Sequence, residues 1–177
     1  MPKELIIVID PQKDFINENG GYSKRHKGIS QILNAKKNIN KLLLKTENQK
    51  VAIVISDYHE NQFEKELSLC IPGTEGHEID IKFDNTTKII TKKKHSCFSS
   101  DYFNDYLLKS NISSLIICGF LAEYCVRQTG IDGLKKGVKI TLIKNAIGTG
   151  DDVQHRRENM FTELEEMGAK LINNYGT

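Results

Sequence analysis

Residues 5–10 have the sequence Leu-Ile-Ile-Val-Ile-Asp, five aliphatic residues that run directly into an acid. A continuous aliphatic and β-branched run predicts a strand that is covered on both faces, because a half-solvated strand would alternate apolar and polar residues. Residues 51–55, Val-Ala-Ile-Val-Ile, form a second run of the same kind. Strands covered on both faces are typical of parallel sheets, so the two runs favour an α/β fold.

Helical patterns separate the aliphatic runs along the rest of the chain. Further strands are predicted at residues 88–91, 115–118, 138–143 and 169–172. Helices are predicted at residues 29–44, after a cap at Ser99 or Ser100, at 125–136 before Gly137, and at 151–167 before Gly168. The alternation predicts a Rossmann-like α/β architecture, three-layer αβα with a mostly parallel six-stranded sheet, in a single domain of residues 1–177.

Composition and charge narrow the class of protein. With 38% hydrophobic and 27% charged residues, the 177-residue chain has the composition of a soluble globular protein rather than a disordered one. The net charge of +2 is too small to indicate a nucleic-acid or membrane partner, and no apolar run approaches membrane length. The four cysteines form no C-x-x-C pair and no export signal precedes them, which predicts reduced thiols and a cytoplasmic location.

Three residues that can carry chemistry follow three of the predicted strands. Asp10 ends the first strand, a run of three lysines at 92–94 ends the third, and Cys125 begins the helix after the fourth. Taken singly, they also fit a turn aspartate, a solvated lysine run and a cysteine that packs as a small hydrophobe. Because ligands bind beyond the carboxyl ends of parallel strands, we expect the three to converge as acid, charge partner and nucleophile. A lysine and a helix start beside Cys125 are expected to lower the pKa of its thiol.

A second group of potential ligands follows the second strand. Asp57 and His59 are two residues apart on one loop and could share a metal ion, which needs at least a third ligand. The candidates for that ligand are Glu60, His77 and Glu75. The alternative is a polar loop that contains a hydrogen-bonded histidine.

Four blocks of sequence occur in an order that a known family shares. They are IDPQKDF at 9–15, PGTEG at 72–76, KKKHSCF at 92–98, and GFLAEYCV at 119–126 followed by Thr129. These blocks are similar to the D-x-Q-x-D-F, GT-x-G, K-x-x-x-S-x-F and G…CV…T segments of the isochorismatase-like cysteine hydrolases, the superfamily that includes nicotinamidases. The chain resembles this family over nearly its whole length, and its Glu-Tyr-Cys-Val stretch is nicotinamidase-like.

The resemblance implies a catalytic triad and an oxyanion hole. The matching positions select Asp10, Lys92 and Cys125 as the triad. The backbone N–H groups of Leu121 and Cys125 would face the oxyanion, after a non-proline cis peptide near Leu121. The substrate-facing side chains expected on this basis are Phe15, His59, Phe98 and Tyr124.

The resemblance also bears on a metal cofactor. Metal-binding nicotinamidases combine the D-x-H pair with a histidine just before the cysteine that precedes GT-x-G, whereas Leu69 stands before Cys70 here. No cofactor is therefore expected to be required. Zinc or iron would bind at Asp57 and His59 only if a third ligand joined them.

By this resemblance, the chain is expected to cleave a small, nicotinamide-like amide through a thioester and to release ammonia. One alternative is hydrolysis of another small C–N or vinyl-ether substrate, although the vinyl-ether members lack the cysteine nucleophile that Cys125 would supply. The other alternative is a binding module that has lost catalysis. The chain is also expected to bind a small-molecule substrate and to form a homo-oligomer.

Overall fold

The computed structural model describes residues 3–176 and has one six-stranded sheet at its centre. The strands are β1 Lys3–Ile9, β2 Val51–Ser56, β3 Lys88–Lys92, β4 Ile112–Phe120, β5 Lys139–Gly148 and β6 Lys170–Ile172. Their order in the sheet is β3-β2-β1-β4-β5-β6, and every neighbouring pair is parallel. The predicted α/β fold with a six-stranded sheet is confirmed.

The aliphatic run of β1 is buried on both faces of the sheet. Leu5, Ile7 and Ile9 belong to one hydrophobic core, whereas Ile6 and Val8 belong to the other. Successive side chains of a strand point to opposite faces, so an uninterrupted apolar run requires a cover on each side. This requirement produces the two outer layers of helices.

Five α-helices within residues 3–176 supply those outer layers. They are α1 Lys13–Ile16, α2 Ser30–Leu43, α3 Asp101–Lys109, α4 Arg127–Lys135 and α5 Gln154–Glu166. The buried residues of α1 and α2 pack in the core that contains Val8, and those of α3 and α5 pack in the core that contains Ile7. The Ser100 hydroxyl accepts a hydrogen bond from the Phe103 N–H at 3.3 Å, which is the predicted cap of α3. No helix within residues 3–176 combines the length and apolar character that a membrane crossing needs.

Several element boundaries differ from those predicted; β4, for example, is Ile112–Phe120 and not residues 115–118. The segment Ala122–Val126 is a π-helical turn, so α4 begins after Cys125 and not at it. The first three residues of the helix predicted at 151–167 form a 3₁₀ turn, Asp151–Val153, and α5 follows it. Strand β5 continues to Gly148, five residues beyond its predicted end, because its register with β4 shifts after Leu142 and pairing resumes at Ile147.

Strands β1 and β4 lie at the point where the strand order reverses, and they approach each other closely there. Gly119 has a φ of +124°, and a Cβ at this position would lie 2.2 Å from the carbonyl oxygen of Ile9. Only glycine allows this contact without displacement of the backbone. The reversal point of such a sheet is where ligands bind, and Asp10 and the π-helical turn both leave the sheet at this point.

Candidate active site

The structure brings Asp10, Lys92 and Cys125 together beyond the carboxyl ends of the strands. The Lys92 Nζ atom lies 3.0 Å from Asp10 Oδ2 and 3.4 Å from Cys125 Sγ. The three residues are at most 3% exposed. Asp10 directly follows β1, Lys92 is in β3 and Cys125 is in the π-helical turn. These three segments, distant in sequence, place the side chains in contact, as expected.

Strand ends position two of these side chains, Asp10 and Lys92. Asp10 has a φ of +50°, and its N–H donates to the carbonyl oxygen of Val54 at 2.8 Å. Lys92 is the last residue of β3, which lies two strands away from β1. Its long side chain therefore crosses the end of β2 to reach Asp10. A shorter cation at position 92 would not span this gap.

Ser56, the last residue of β2, connects the lysine with the aspartate. Its hydroxyl accepts a hydrogen bond from Lys92 Nζ at 2.7 Å and donates one to Asp10 Oδ1 at 2.9 Å. The Gln12 side chain holds the Ser56 backbone, with contacts of 2.8 and 2.9 Å to its N–H and carbonyl. Sequence analysis missed Ser56, although its place at the end of a strand that neighbours β1 was a usable signal.

Burial and charge act in opposite directions on Lys92. Burial lowers the pKa of its ammonium group, but the negative charge of Asp10 raises it, and the pKa ends well above its ordinary value. The ammonium is also hydrogen-bonded to the carbonyl oxygen of Lys94 at 3.1 Å. Lys92 is therefore a permanent buried cation that compensates the Asp10 carboxylate.

The Cys125 thiol does not have the lowered pKa that was expected of it. Burial raises the pKa of the thiol and the charge of Asp10 raises it further, whereas Lys92 lowers it only in part. The expectation was wrong because the sulfur loses its water on burial, and this outweighs the lysine. The resting sulfur is thus a neutral thiol that needs a base when it reacts.

Two further side chains contact the sulfur of Cys125. The Tyr58 hydroxyl lies 3.4 Å from Sγ, and Nδ1 of His95 lies 3.6 Å from it. Tyr58 follows β2, and its hydroxyl also lies 3.3 Å from Lys92 Nζ. Sequence analysis missed both contacts, because neither residue ends a strand or stands out by its type.

The backbone before Cys125 has the cis peptide that the resemblance implied. The peptide between Phe120 and Leu121 is cis. The Leu121 carbonyl accepts hydrogen bonds from the N–H groups of Tyr124 and Val126 at 3.2 and 3.3 Å. Leu121 borders the same cavity as Cys125.

A cavity of about 380 Å³ opens onto the sulfur. Of the four side chains expected to face a substrate, Phe15 and Tyr124 line this cavity and two do not. Phe98 does not, because its side chain is packed in the core, edge to face with the Phe103 ring at 5.3 Å between ring centroids. His59 is exposed, and its Nδ1 lies 3.0 Å from the carbonyl oxygen of Glu60. The expectation for Phe98 and His59 is corrected accordingly.

Charged side chains lie at the mouth of the cavity. Arg25 is paired with Glu64 at 2.9 Å, and Arg156 lies 3.8 Å from Glu123, beyond hydrogen-bonding distance. Oε2 of Glu123 accepts a hydrogen bond from the Thr149 hydroxyl at 2.6 Å. The mouth is therefore polar, in contrast to the aromatic walls below it.

The residues proposed as metal ligands do not come together as a set of three. Asp57 Oδ1 lies 2.6 Å from Nε2 of His77, so its partner is His77 and not His59. Glu75 is paired with Lys13 at 3.1 Å. Across the described part of the chain, no three histidine, cysteine, aspartate or glutamate side chains are arranged to hold an ion. Leu69 borders the cavity where the resemblance would place a histidine, so the residues present do not fit a three-ligand metal site.

The remaining cysteines lie apart from this chemistry. Cys70, Cys97 and Cys118 are buried and form no disulfide. Burial raises the pKa of each, to about 12 for Cys97 and Cys118. They pack as small hydrophobic residues, which was the interpretation favoured for them from the sequence.

Comparisons with known proteins agree on one family for this chain. The model of the isochorismatase domain matches residues 4–174. The secreted isochorismatase effector Isc1 of Verticillium dahliae is 26% identical over 152 residues, which cover 83% of this chain and 73% of that protein.

Solved structures share the fold at low sequence identity. The nicotinamidase PncA of Bacillus subtilis aligns with a TM-score of 0.81 at 22% identity, covering 97% of this chain and 99% of that one. The pyrazinamidase of Pyrococcus horikoshii, in complex with zinc, aligns with a TM-score of 0.82 at 23% identity and the same coverage.

Proposed function

The chain belongs to the isochorismatase family of hydrolases, and from this we propose that it is a cysteine-dependent amidohydrolase that cleaves a small, nicotinamide-like amide. One observation carries the proposal. A thiol at the edge of a cavity lies 3.4 Å from a buried ammonium group, which is itself 3.0 Å from a buried carboxylate. Nucleophile, cation and base are thus in contact, as covalent catalysis requires.

The first half of the proposed reaction forms a thioester. Asp10 takes the thiol proton as the Cys125 sulfur attacks the amide carbonyl carbon, since the raised pKa leaves the sulfur protonated at rest. The N–H groups of Leu121 and Cys125 stabilise the oxyanion, an effect worth about 10²–10³-fold per donor. The C–N bond then breaks while Asp10 gives its proton to the nitrogen, which leaves as ammonia. Lys92 stays charged throughout and stabilises the anionic partners.

Water completes the reaction. The ionised Asp10 takes a proton from a water molecule as the water oxygen attacks the thioester carbonyl carbon. The C–S bond breaks, the proton returns to the sulfur, and the carboxylic acid product leaves. No step passes through a metal ion, because Asp57 is bonded to His77 and Leu69 occupies the cavity wall.

The cavity favours a small planar substrate. Its volume of about 380 Å³ is at the lower end of the range of ligand pockets, and its walls include Phe15, Tyr124 and Leu69. Aromatic walls bind planar rings by offset or edge-to-face packing. The relatives that are nicotinamidases and pyrazinamidases support an aromatic amide as the first compound to test.

Two other functions remain as alternatives. The same site could act on another small compound with a C–N bond, whereas a vinyl-ether substrate is disfavoured because its hydrolysis has no use for Cys125. A binding module without catalysis is disfavoured by the buried pair of Asp10 and Lys92, which is costly to retain unless it serves a purpose.

The proposal is tested by ammonia release from a panel of small amides that includes nicotinamide and pyrazinamide. We expect release by the wild type and none above background with Cys125→Ala. Cys118→Ala is the matched control, because Cys118 is buried in β4 away from the cavity. Activity that survives Cys125→Ala, or a panel with no ammonia release at all, would contradict the amidase proposal.

A further inference from the structure

His95 lies against the reactive sulfur and has no role in the reaction described above. Its Nδ1 atom is 3.6 Å from Cys125 Sγ, within the range of a hydrogen bond that involves sulfur. It borders the same cavity as Cys125. We propose that His95 is a catalytic residue of this chain, a second proton acceptor for the Cys125 thiol besides Asp10. This inference deepens the proposed function and rests on it.

The imidazole ring is held in place by two aromatic rings. The Phe63 ring stacks on it at 4.4 Å between centroids and 12° between planes, and the Tyr124 ring stacks at 5.5 Å and 26°. Phe63 in turn packs edge to face against Tyr58 at 4.7 Å. Stacking of this kind restricts rotation of the ring, so Nδ1 stays directed toward the sulfur.

The surroundings of His95 keep its imidazole neutral near pH 7. Burial lowers its pKa below the usual 6.5, and the charge of Lys92 lowers it further, against a smaller opposing effect of Asp10. Other titratable groups near it include Cys125, Tyr58 and Tyr124, and His26 and Arg156 line the same cavity. Glu64, next to Phe63 on the loop, is paired with Arg25.

The proposal requires one direction for the hydrogen bond between these groups. A neutral imidazole has one nitrogen that accepts and one that donates. In the proposed arrangement the imidazole hydrogen is on Nε2, so that Nδ1 can accept the single hydrogen of the Cys125 thiol, for which Asp10 is the other acceptor. No described protein group is hydrogen-bonded to Nε2, so that donor is free to contact a bound molecule.

A second proton acceptor is useful because the first, Asp10, already accepts hydrogen bonds from other side chains. Both oxygens of Asp10 accept hydrogen bonds, one from Lys92 and one from Ser56. When the sulfur attacks a carbon atom, a new S–C bond forms and the thiol proton must leave. It can pass to Asp10 or to Nδ1 of His95, and the imidazolium that results then loses the proton to solvent or to the leaving group.

Alkylation of Cys125 by iodoacetamide isolates this step, because iodide leaves without needing a proton. The rate is measured from pH 5 to 9 by mass spectrometry of the Cys125 peptide. In the wild type, we expect the rate to fall as the pH drops through a value below 6.5, where His95 becomes protonated and can no longer accept. This result needs no variant, and a wild-type profile without such a limb would overturn the proposal.

Two variants identify the residue responsible for that limb. His95→Phe keeps a ring for Phe63 and Tyr124 to stack on but removes Nδ1. We expect it to alkylate about 100-fold more slowly at pH 7, the lower end of what a positioned base contributes, and to lose the acid limb. His95→Asn keeps a hydrogen-bond acceptor that cannot take up the proton, so we expect it to stay as slow as His95→Phe and to lack the limb.

The controls separate a chemical from a structural role. His155→Phe is the matched control, because His155 is exposed on α5, and it should keep the wild-type rate and profile. If His95→Phe alkylates at the wild-type rate, or more slowly with an unchanged pH profile, His95 is only part of the cavity wall. Alkylation requires no substrate, so a panel that yields no ammonia would end the amidase proposal and leave this measurement decisive for His95.

Discussion

At the scale of single residues, the site depends on a buried ion pair that is fully enclosed. Lys92 and Asp10 have no exposed side-chain area, and Ser56 bonds to both. Two buried charges are tolerated because each compensates the other and their remaining hydrogen-bonding groups are satisfied. Removal of one partner leaves the other charged, buried and unpaired.

Lys92→Met should therefore reduce both activity and stability. We expect turnover to be nearly abolished and the free energy of unfolding to fall by about 3–5 kcal/mol, the usual cost of breaking a buried pair. Ammonia release and urea denaturation measure the two effects. Lys93→Met is the matched control, because Lys93 is the exposed neighbour in the same lysine run and should change stability by at most about 0.5 kcal/mol. Equal effects of the two substitutions would contradict the assigned role of Lys92.

At the scale of secondary-structure elements, helix α2 is capped by a residue from the far end of the chain. Asp151 accepts hydrogen bonds from the N–H groups of Ser30 and Gln31 at 2.7 and 2.9 Å. Its own N–H donates to the carbonyl oxygen of Gly28 at 2.9 Å. A carboxylate at this position satisfies free donors of the first turn and is favoured by the helix dipole. The cap joins α2 to the segment that leads into α5.

Asp151→Ala should cost about 0.5–2 kcal/mol of unfolding free energy, as loss of an N-cap does. Burial raises the pKa of Asp151, but its hydrogen bonds to Gln31 and Ser30 lower it more, so the pKa is lowered overall. Its contribution is therefore present above the unfolded pKa of about 3.9 and is lost as the pH falls through the folded value. Urea denaturation at pH 7 and pH 3 should show the wild type losing this advantage over the variant.

Asp151→Asn is the informative companion, since it keeps one acceptor but removes the charge. We expect it to retain part of the stability at pH 7 and to show less change than the wild type between pH 7 and 3. If Asp151→Ala is as stable as the wild type at pH 7, the contact with α2 contributes nothing to folding.

At the scale of the whole molecule, four buried thiols couple stability to alkaline pH. Cys70, Cys97, Cys118 and Cys125 all have a raised pKa in the folded chain, and burial is the first cause in each case. A raised pKa means that the folded protein holds these protons more tightly than the unfolded one. The stabilisation is complete below the unfolded pKa of about 8.5 and is lost as the pH rises toward the folded value.

We expect the free energy of unfolding to fall above about pH 9 by about 1.4 kcal/mol per pH unit for each buried thiol. Urea denaturation under reducing conditions at pH 8, 9 and 10 measures the slope. Cys118→Ala should reduce this slope by the contribution of one thiol. Lysine and tyrosine residues contribute equally to the slopes of the wild type and the variant, so their contributions cancel when the two slopes are compared. A slope that does not change with this variant would show that Cys118 does not contribute to it.

The homo-oligomer, the single domain of residues 1–177 and the cytoplasmic location stay predictions. The oligomer is the simplest to check, by light scattering combined with size-exclusion chromatography at several concentrations. A mass of one chain, 20.1 kDa, at every concentration would contradict it.

Local patterns in the amino-acid sequence were sufficient to predict the helices and strands and to identify the residues at the strand ends. The aliphatic run before Asp10 specified a strand covered on both faces, and the alternation of patterns specified a parallel sheet. The block order then selected Lys92 from three adjacent lysines, and the structure places that lysine beside Asp10. Such information is local or is carried by spacing along the chain, so it is available before folding.

Contacts between distant residues were decided only by the path of the folded chain. The contact of Ser56 with Lys92 and those of Tyr58 and His95 with Cys125 form because segments distant in sequence come together at one edge of the sheet. No local sequence pattern predicts these contacts. In the same way, Asp57 bonds to His77, 20 residues away, and not to its near neighbour His59. The direction of the Cys125 pKa shift also required the tertiary structure, because the loss of water around the sulfur depends on everything packed against it.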